Sequence, residues 1–462
     1  MVLDDLIGFY LDPFNDRRRS YIFLANPLGS QADGIKIAST GHEDYSFDAI
    51  WSSAGRIVDD GYIVEFGIPF KSLRFPRTAD VQTWGFVFLR AWPREHRYRM
   101  VASPWDRNNS CEICQGNQLT GFTGIAPGRN VELAPTLTSQ RTDQRTGFPT
   151  GPMESGNVET RLGGDLRWGV TPNITLNATV RPDFSQIEAD AAQLDVNTRF
   201  ALFVPEKRPF FLEGADYFST PIQAVFTRTV ADPDAGLKLT GKVGGSTRNT
   251  IGVFAARDRL TNLLFPSNQG SGAATLDDDA WTTVARFKRD LGHTSHLGLL
   301  YTGRFGSRYD NQVGGADLYY QLGRSTRVNV QYLVSATEYP EEVARANGQK
   351  VGRFVGGAIN ASLNYGTNRW RAGASYAELA PDFRADVGFV PRVDTRTFSA
   401  NVSKVWYSTN RWISYLAIGP FGAETRDHRN ELTDRHVGVS LSYQGPLQSN
   451  FYGEVTSRRE RF

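Results

Sequence analysis

Two tryptophans in the stretch AWPREHRYRMVASPWDRNN, Trp92 and Trp105, stand among Arg94, Arg97, Asp106 and Asn108. An indole offers a flat apolar surface to the face of a pyranose ring, and planar charged groups beside it match sugar hydroxyls. The stretch is polar and carries Pro93 and Pro104, so it reads as loop. Trp92, Trp105, Arg94 and Asp106 are therefore the candidate glycan contact, with ordinary inter-strand packing the competing account of the same rings. Trp51 and Trp84 lie in strand-like runs and read as core.

A second concentration of chemistry is FVPEKRPFFLEGADYF, residues 203–218. It mixes Phe203, Phe210, Phe211, Leu212, Tyr217 and Phe218 with Glu206, Lys207, Arg208, Glu213 and Asp216, and neither the helical nor the strand period holds across it. Glu206, Lys207, Arg208 and Glu213 are expected to pair with one another, because charges taken out of water need partners. The carboxylates Glu188 and Asp190, or Glu206 and Glu213, have the residue type that glycoside hydrolysis needs on either side of a cleft. With 49 acidic residues in the chain such pairs arise by chance. GxSxG, HExxH and P-loop motifs are missing from the sequence. Binding is favoured over catalysis, and a hydrolase acting on O-glycosyl bonds is kept as the alternative.

Cys111 and Cys114 form a lone CxxC in SCEICQG. Zinc would need two further ligands nearby, and the flanking Asn, Ser and Gly read as loop. A short disulfide-closed or reduced surface loop is expected, not redox chemistry. The six histidines are scattered, with HTSH (His293, His296) in a tight turn.

The elements that carry these residues follow from composition and period. A balance of 51 basic to 49 acidic residues gives a formal charge of +2, which argues against a nucleic-acid partner. No run of 18 apolar residues exists, so no spanning helix is expected. Yet 45 glycines and 56 aromatic residues accompany a mean hydropathy of −0.39. A membrane β-barrel leaves that mixture behind, because only every second strand residue faces lipid.

Residues 1–125 show short strand candidates (IGFYLDP, SYIFLANP, YIVEFGIPF, TWGFVFLRAW) between turn clusters, and read as a β-sandwich. From about 130 the texture changes to long alternating runs. In RVNVQYLVSA, Val328, Val330, Tyr332 and Val334 alternate with Asn329 and Gln331. AINASLNYGTNRWRAGASYA is a complete hairpin of the same kind. These runs span about 8–12 residues, the length of a tilted crossing of hydrocarbon. Tyr365 and Trp370 flank the turn GTNR, and Trp406, Tyr407 and Trp412 flank STNR, as an interfacial girdle requires. Tight turns also alternate with long polar loops. Residues 126–462 are accordingly assigned to an antiparallel transmembrane β-barrel of roughly fourteen strands. A large soluble sandwich is the competing fold, and it would need a bulkier apolar face. Residues 181–223 interrupt the pattern as an inserted segment, either a plug in the lumen or a cap over it.

The string ATVRPDFSQIEADAAQLDVNTRFALFVPEKRPFFLEGADYF resembles the signature of an uncharacterised family of bacterial outer-membrane proteins. In that family a β-barrel follows a domain similar to the family 9 carbohydrate-binding modules, and DPFNDRRRSYIFLANPLGSQADG and FDAIWSSAGRIVDDGYIVEFGIPFKSLRF match that module-like pattern. The resemblance implies an outer-membrane location, a glycan or polysaccharide ligand and a lipid-bilayer partner. It implies no catalytic cofactor, although modules of that kind often hold a structural calcium. Asp4, Asp5, Asp12, Asp16 and Asp33 supply oxygens here without an EF-hand spacing. MVLDDLIGFYLDPF reads as a strand and not as an export signal, and the module appears without its first strands. The positions before Phe462 at two-residue spacing are Glu460, Arg458 and Thr456, unlike a closing strand in lipid. The natural chain is expected to extend further at both ends.

Overall fold

The computed structural model describes residues 4–461 apart from 46, 78–79, 95–96, 129–130, 148–149, 183–198, 245–247, 277, 293 and 411. It is built almost entirely of antiparallel strands. No helix is long and apolar enough to cross a membrane among those residues.

The N-terminal unit is a seven-stranded sheet. Its strand order is Glu43–Asp44, Gln31–Ile37, Arg19–Ala25, Leu6–Asp12, Gln82–Pro93, Arg97–Val101, with Asn117–Phe122 also pairing with Gln82–Pro93. Alternation along the strands separates two cores. One face carries Leu6, Tyr10, Ile22, Leu24, Val87, Leu89 and Ala91 against Cys111 and Ile113. The other carries Leu11, Tyr21, Phe23 and Trp84, covered by Trp51, Phe75 and the two-stranded hairpin Ser52–Val58/Gly61–Gly67 through Val64 and Phe66. Trp51 and Trp84 are core, as their runs imply. The first hairpin turns on Asp12, whose carboxylate accepts the amides of Phe14 at 3.2 Å and Arg17 at 2.7 Å. Arg17 itself sits at φ 62, the left-handed region that L side chains avoid.

The second unit is a fifteen-stranded antiparallel sheet running from Val131–Arg145 to Asn450–Glu460, each strand paired with the next in sequence except for one excursion. That excursion is a small outer hairpin, Thr261–Pro266/Ser271–Leu276. The first and last strands do not pair with each other. Twelve of the fifteen strands hold ten to thirteen residues. At about 3.3 Å per residue and a tilt near 45°, such strands cover an apolar band of about 25 Å.

Burial along these strands is inverted relative to a soluble sheet. In Ser295–Phe305 the exposed positions are Leu297, Leu299 and Tyr301, while Leu300, Thr302 and Arg304 are buried. In Thr326–Glu338 the exposed Tyr332 and Val334 alternate with buried Gln331, Leu333, Ser335 and Thr337. The outward face is apolar, and the inward face mixes hydroxyl, amide and charged groups with apolar residues such as Leu300 and Leu333.

The inward face is wrapped around chain segments, and one cluster contains the wall residues Phe254, Val284, Leu300, Val313, Leu333 and Ala358. Against them pack Phe210, Phe211, Tyr217, Phe218 and Ile222 of the inserted segment, and Phe383, Val387, Val390 and Val393 from the connection 380–394. The inserted aromatics thus share a core with the wall and do not form a separate one.

Candidate functional site

The inserted segment enters from the rim of long connections, between the strands Ile174–Val180 and Pro233–Val243. Its described part, 199–232, makes a short helical turn at Pro209–Leu212, reverses at Gly214 (φ 67) and makes a second turn at Ala215–Phe218. The Phe218 ring seats on Gly252, where an added Cβ would lie 2.8 Å from the ring.

Arg208 is the segment's electrostatic anchor. It is 2% exposed, and its guanidinium donates to Glu206 Oε1 and Oε2, both at 2.8 Å, to the Val230 carbonyl at 2.7 Å and to the Thr227 carbonyl at 2.8 Å. It also lies 3.9 Å from the centroid of Phe211. Burial opposes ionisation of Glu206, but the Arg208 guanidinium and the Thr227 hydroxyl outweigh it and hold the carboxyl below its usual range. Glu213 is paired elsewhere, with Arg167 at 3.0 Å and Arg74 of the N-terminal unit at 3.4 Å. Lys207 is exposed. Glu206 and Arg208 therefore form one anchor and Glu213 another, because the helical turn Pro209–Leu212 lies between them.

Sequence reasoning missed a third anchor. Arg304, fully buried, donates to the carbonyls of Asn262 at 2.8 Å and Thr229 at 3.0 Å and contacts Asp258 at 3.4 Å. Asp258 in turn accepts the amides of Ala231 and Asp232. The connection 380–394 was missed as well. Asp386 accepts the hydroxyls of Tyr309 at 2.7 Å and Tyr339 at 3.1 Å, and across the two inward segments the Phe226 amide donates to the Val387 carbonyl and the Phe389 amide to the Gln223 carbonyl. Its mixture of Phe, Val, Arg and Asp without a strand period is the signal that would have found it.

Where the strands leave room, charged pairs cross the lumen wall. Arg286 binds Asp317 with both terminal nitrogens, at 2.5 and 2.8 Å, over Gly298 on the intervening strand. A Cβ at Gly298 would stand 2.5 Å from that guanidinium. Between the insert and the wall lies a cavity of about 410 Å³, lined by Phe203, Phe211, Phe218 and Phe254 with Glu206 and Lys238.

The N-terminal unit sits on the rim of tight turns. Arg18 reaches the carbonyls of Gly292 and Ser295 and pairs with Asp290 at 2.9 Å. Ser110 donates its amide to the Arg324 carbonyl at 2.8 Å. Ser325 donates to the Asn108 carbonyl at 2.6 Å, and Asn108 Oδ1 accepts the Asn368 amide at 3.1 Å. Asp16 pairs with Lys242, and Arg19 with Asp216 of the insert at 3.4 Å.

Of the candidate glycan residues Trp92 and Arg94 meet, while Trp105 and Asp106 lie elsewhere. Trp105 packs with Ala91, Cys111 and Ile113 on one face of the seven-stranded sheet. Trp92 follows Ala91 in the same strand and so points to the other face. Its ring meets Tyr98 at 5.7 Å and lies under Arg94 at 5.3 Å and Arg90 at 5.9 Å. Asp106 caps Asn108 and faces Arg324 of the tight-turn rim at 4.0 Å, so it belongs to the contact between units. The stretch read as loop is thus strand at Trp92, within Gln82–Pro93, and lies outside the strands at Trp105.

Cys111 and Cys114 are joined in a disulfide beside that core. Among the described residues no group of three or more His, Cys, Asp or Glu is placed to hold a metal. Asp5 is engaged by Arg90 and Tyr62, Asp12 by its turn, Asp16 by Lys242 and Asp33 by the Ala49 amide, so the acidic residues considered for calcium do not converge. Glu188, Asp190, His96 and His293 lie outside the described residues.

Comparison with known proteins adds a family match over part of the chain. A family model described as a domain of unknown function (DUF5916) matches residues 138–234, from the first long strand through the insert. No curated protein matches significantly. Among solved structures, OccK8 (OprE) of Pseudomonas aeruginosa is 13% identical over 98% of this chain and 93% of its own, with a TM-score of 0.38. OccK11 (OpdR) of the same organism is 10% identical over 99% and 90%, at 0.36. OccAB2 of Acinetobacter baumannii is 9% identical over 98% and 90%, at 0.34. Scores at that level carry no weight here, and the fold stands on strand pairing alone.

Proposed function

We propose that the chain is an outer-membrane β-barrel protein whose lumen holds an inward-folded plug and whose tight-turn rim is covered by the N-terminal sheet. The observation that carries this reading is the inverted burial of the long strands. An exposed band of Leu, Val, Tyr and Trp around a buried set of Thr, Gln, Asn, Asp and Arg is stable where the outer medium is hydrocarbon. Tight turns face the periplasm in such barrels, which puts the N-terminal unit on that side. The role is passage or capture of a solute, with the insert as the restriction.

The solute class favoured is a glycan. Support comes from the Trp92–Tyr98 surface flanked by Arg94, an aromatic face with planar donors beside it. Trp92→Ala with Tyr98→Ala should abolish retention on a glycan array while leaving heat-modifiable gel migration intact; undiminished retention removes the glycan assignment. For the barrel, detergent-free monodispersity of the purified chain would refute the membrane reading. Deleting residues 203–218 should raise single-channel conductance in a planar bilayer, and an unchanged conductance would refute the plug.

A further inference from the structure

The contact between the N-terminal unit and the lumen encloses a second cavity, of about 100 Å³. Its cationic lining comes from both sides: Arg17, Arg18 and Arg19 from the first hairpin of the sheet, and Lys242 and Lys288 from the wall strands on either side of Asn249–Asp258. The carboxylates in the lining are Asp216 and Asp290. Each is committed, Asp290 to Arg18 at 2.9 Å and Asp216 to Arg19 at 3.4 Å. Asp16 joins Lys242 from the edge of the cavity. Two cations are left over. Lys288 has its one contact with the Asp216 carbonyl at 3.5 Å, the long end of a hydrogen bond, and neither it nor Arg17 has a carboxylate within 4.0 Å among the described residues. A further donor, Arg19 Nε, is shielded from solvent without an acceptor.

We infer that this cavity is a binding site for a tetrahedral oxyanion, the phosphate or sulfate group of a solute that enters the barrel. Each part of the chemistry fits that class. Arg17 and Lys288, the two cations without a carboxylate partner, offer their charge to a phosphate monoester, which is anionic near neutral pH. Arginine and lysine donors surround a volume suited to one such group and not to a sugar ring or a chain. Because the hairpin supplies three of the cations and the wall two, the anion would bridge the two units. Its occupancy would strengthen their docking by mass action.

The test uses the full chain in detergent at fixed ionic strength. Inorganic phosphate, glycerol 3-phosphate and a short-chain phosphatidic acid in micelles are titrated calorimetrically, with chloride as the control. Saturable binding of the soluble phosphates is expected, together with at least a tenfold loss of affinity in Lys288→Met and a comparable loss in Arg17→Ser. Arg17 is exposed, so its variant folds even where Lys288→Met does not. Binding of phosphatidic acid alone, lost in the same variants, would keep the site but assign it to a lipid headgroup. Heats indistinguishable from chloride for all three probes, or equal in wild type and both variants, would overturn the proposal. The measurement does not depend on conductance, so it fails or holds separately from the plug.

Discussion

Replacing Arg208 with methionine tests the insert's anchoring most directly. Methionine keeps most of the side chain's length and its apolar contact with Phe211, but it removes the charge and every donor. Glu206, whose side chain is 11% exposed, then loses both of its bonds to the guanidinium, and the carbonyls of Val230 and Thr227 lose donors at 2.7 and 2.8 Å. A stranded buried acceptor costs about 1–3 kcal/mol, and a broken buried ion pair about 3–5 kcal/mol. These costs overlap, so the expected total is about 3–5 kcal/mol against the docked insert. At about 1.4 kcal/mol per factor of ten, the undocked population rises by at least about a hundredfold. Planar-bilayer recording should then show frequent larger openings, and limited trypsin digestion should cut near Arg228 faster than in wild type. Glu206→Gln added to Arg208→Met should recover part of the loss, because the neutral amide is cheaper to bury. Lys207→Met, next in sequence but exposed, is the control and should change little. If Arg208→Met and Lys207→Met give the same conductance and the same digestion pattern, the anchoring argument is wrong.

Three further outcomes follow from the same geometry. Leu299→Arg, at a position 53% exposed on the outer face, should destabilise the barrel in lipid vesicles by about 2–4 kcal/mol in urea unfolding, whereas a soluble sheet would tolerate it. In the N-terminal sheet, burial opposes ionisation of Glu43, yet Lys36 at 2.9 Å and the Tyr10 hydroxyl at 2.8 Å outweigh it and hold the carboxyl down to about 2. A depressed carboxyl stabilises the fold when ionised. Its contribution, about 1–2 kcal/mol after solvent screening, is complete above pH about 4.5 and is lost as pH falls toward 2. Glu43→Gln should flatten that part of the acid-unfolding profile. Finally, Arg18→Ala removes three links to the tight-turn rim and should make the junction at 123–130 more sensitive to protease, without changing the exposed aromatic band.

The wall was legible in the sequence because each of its strands is specified locally. Alternation such as Val328, Val330, Tyr332, Val334 against Asn329 and Gln331 needs no knowledge of neighbours, and a period of two has a single structural meaning over ten residues. The contents of the lumen were legible only as an exception to that period. That Glu213 would pair with Arg74 and Arg167, while Glu206 took Arg208, depends on the turn at Pro209–Leu212 and on contacts 139 and 46 residues distant along the chain. Local reading pairs charges with their nearest neighbours, and here that is wrong for Glu213. Trp105 shows the same limit from another side. Its aromatic, loop-like context suggested a ligand, and the ring is half-buried against the cluster of Cys111 and Ile113, residues that period cannot locate.

One segment touches all three layers of the molecule, and this connects the separate sites. At its outer end Arg199 donates to Gln269, and the Arg199 carbonyl accepts the Ser271 amide of the small outer hairpin. In the middle, Phe210 and Phe218 fill the lumen wall. At the inner end, Asp216 and Glu213 meet Arg19 and Arg74 of the N-terminal sheet. A ligand that displaces the sheet from the rim must therefore break ion pairs that hold the insert down, and a solute that moves the insert must loosen the sheet. Linkage makes the two effects equal in free energy. The inner pairs are partly exposed, worth about 1 kcal/mol or less each, whereas the Arg208 and Arg304 anchors are buried. Release should then begin at the sheet, where the links are weak, and stop at Arg208 unless the solute itself competes for the guanidinium.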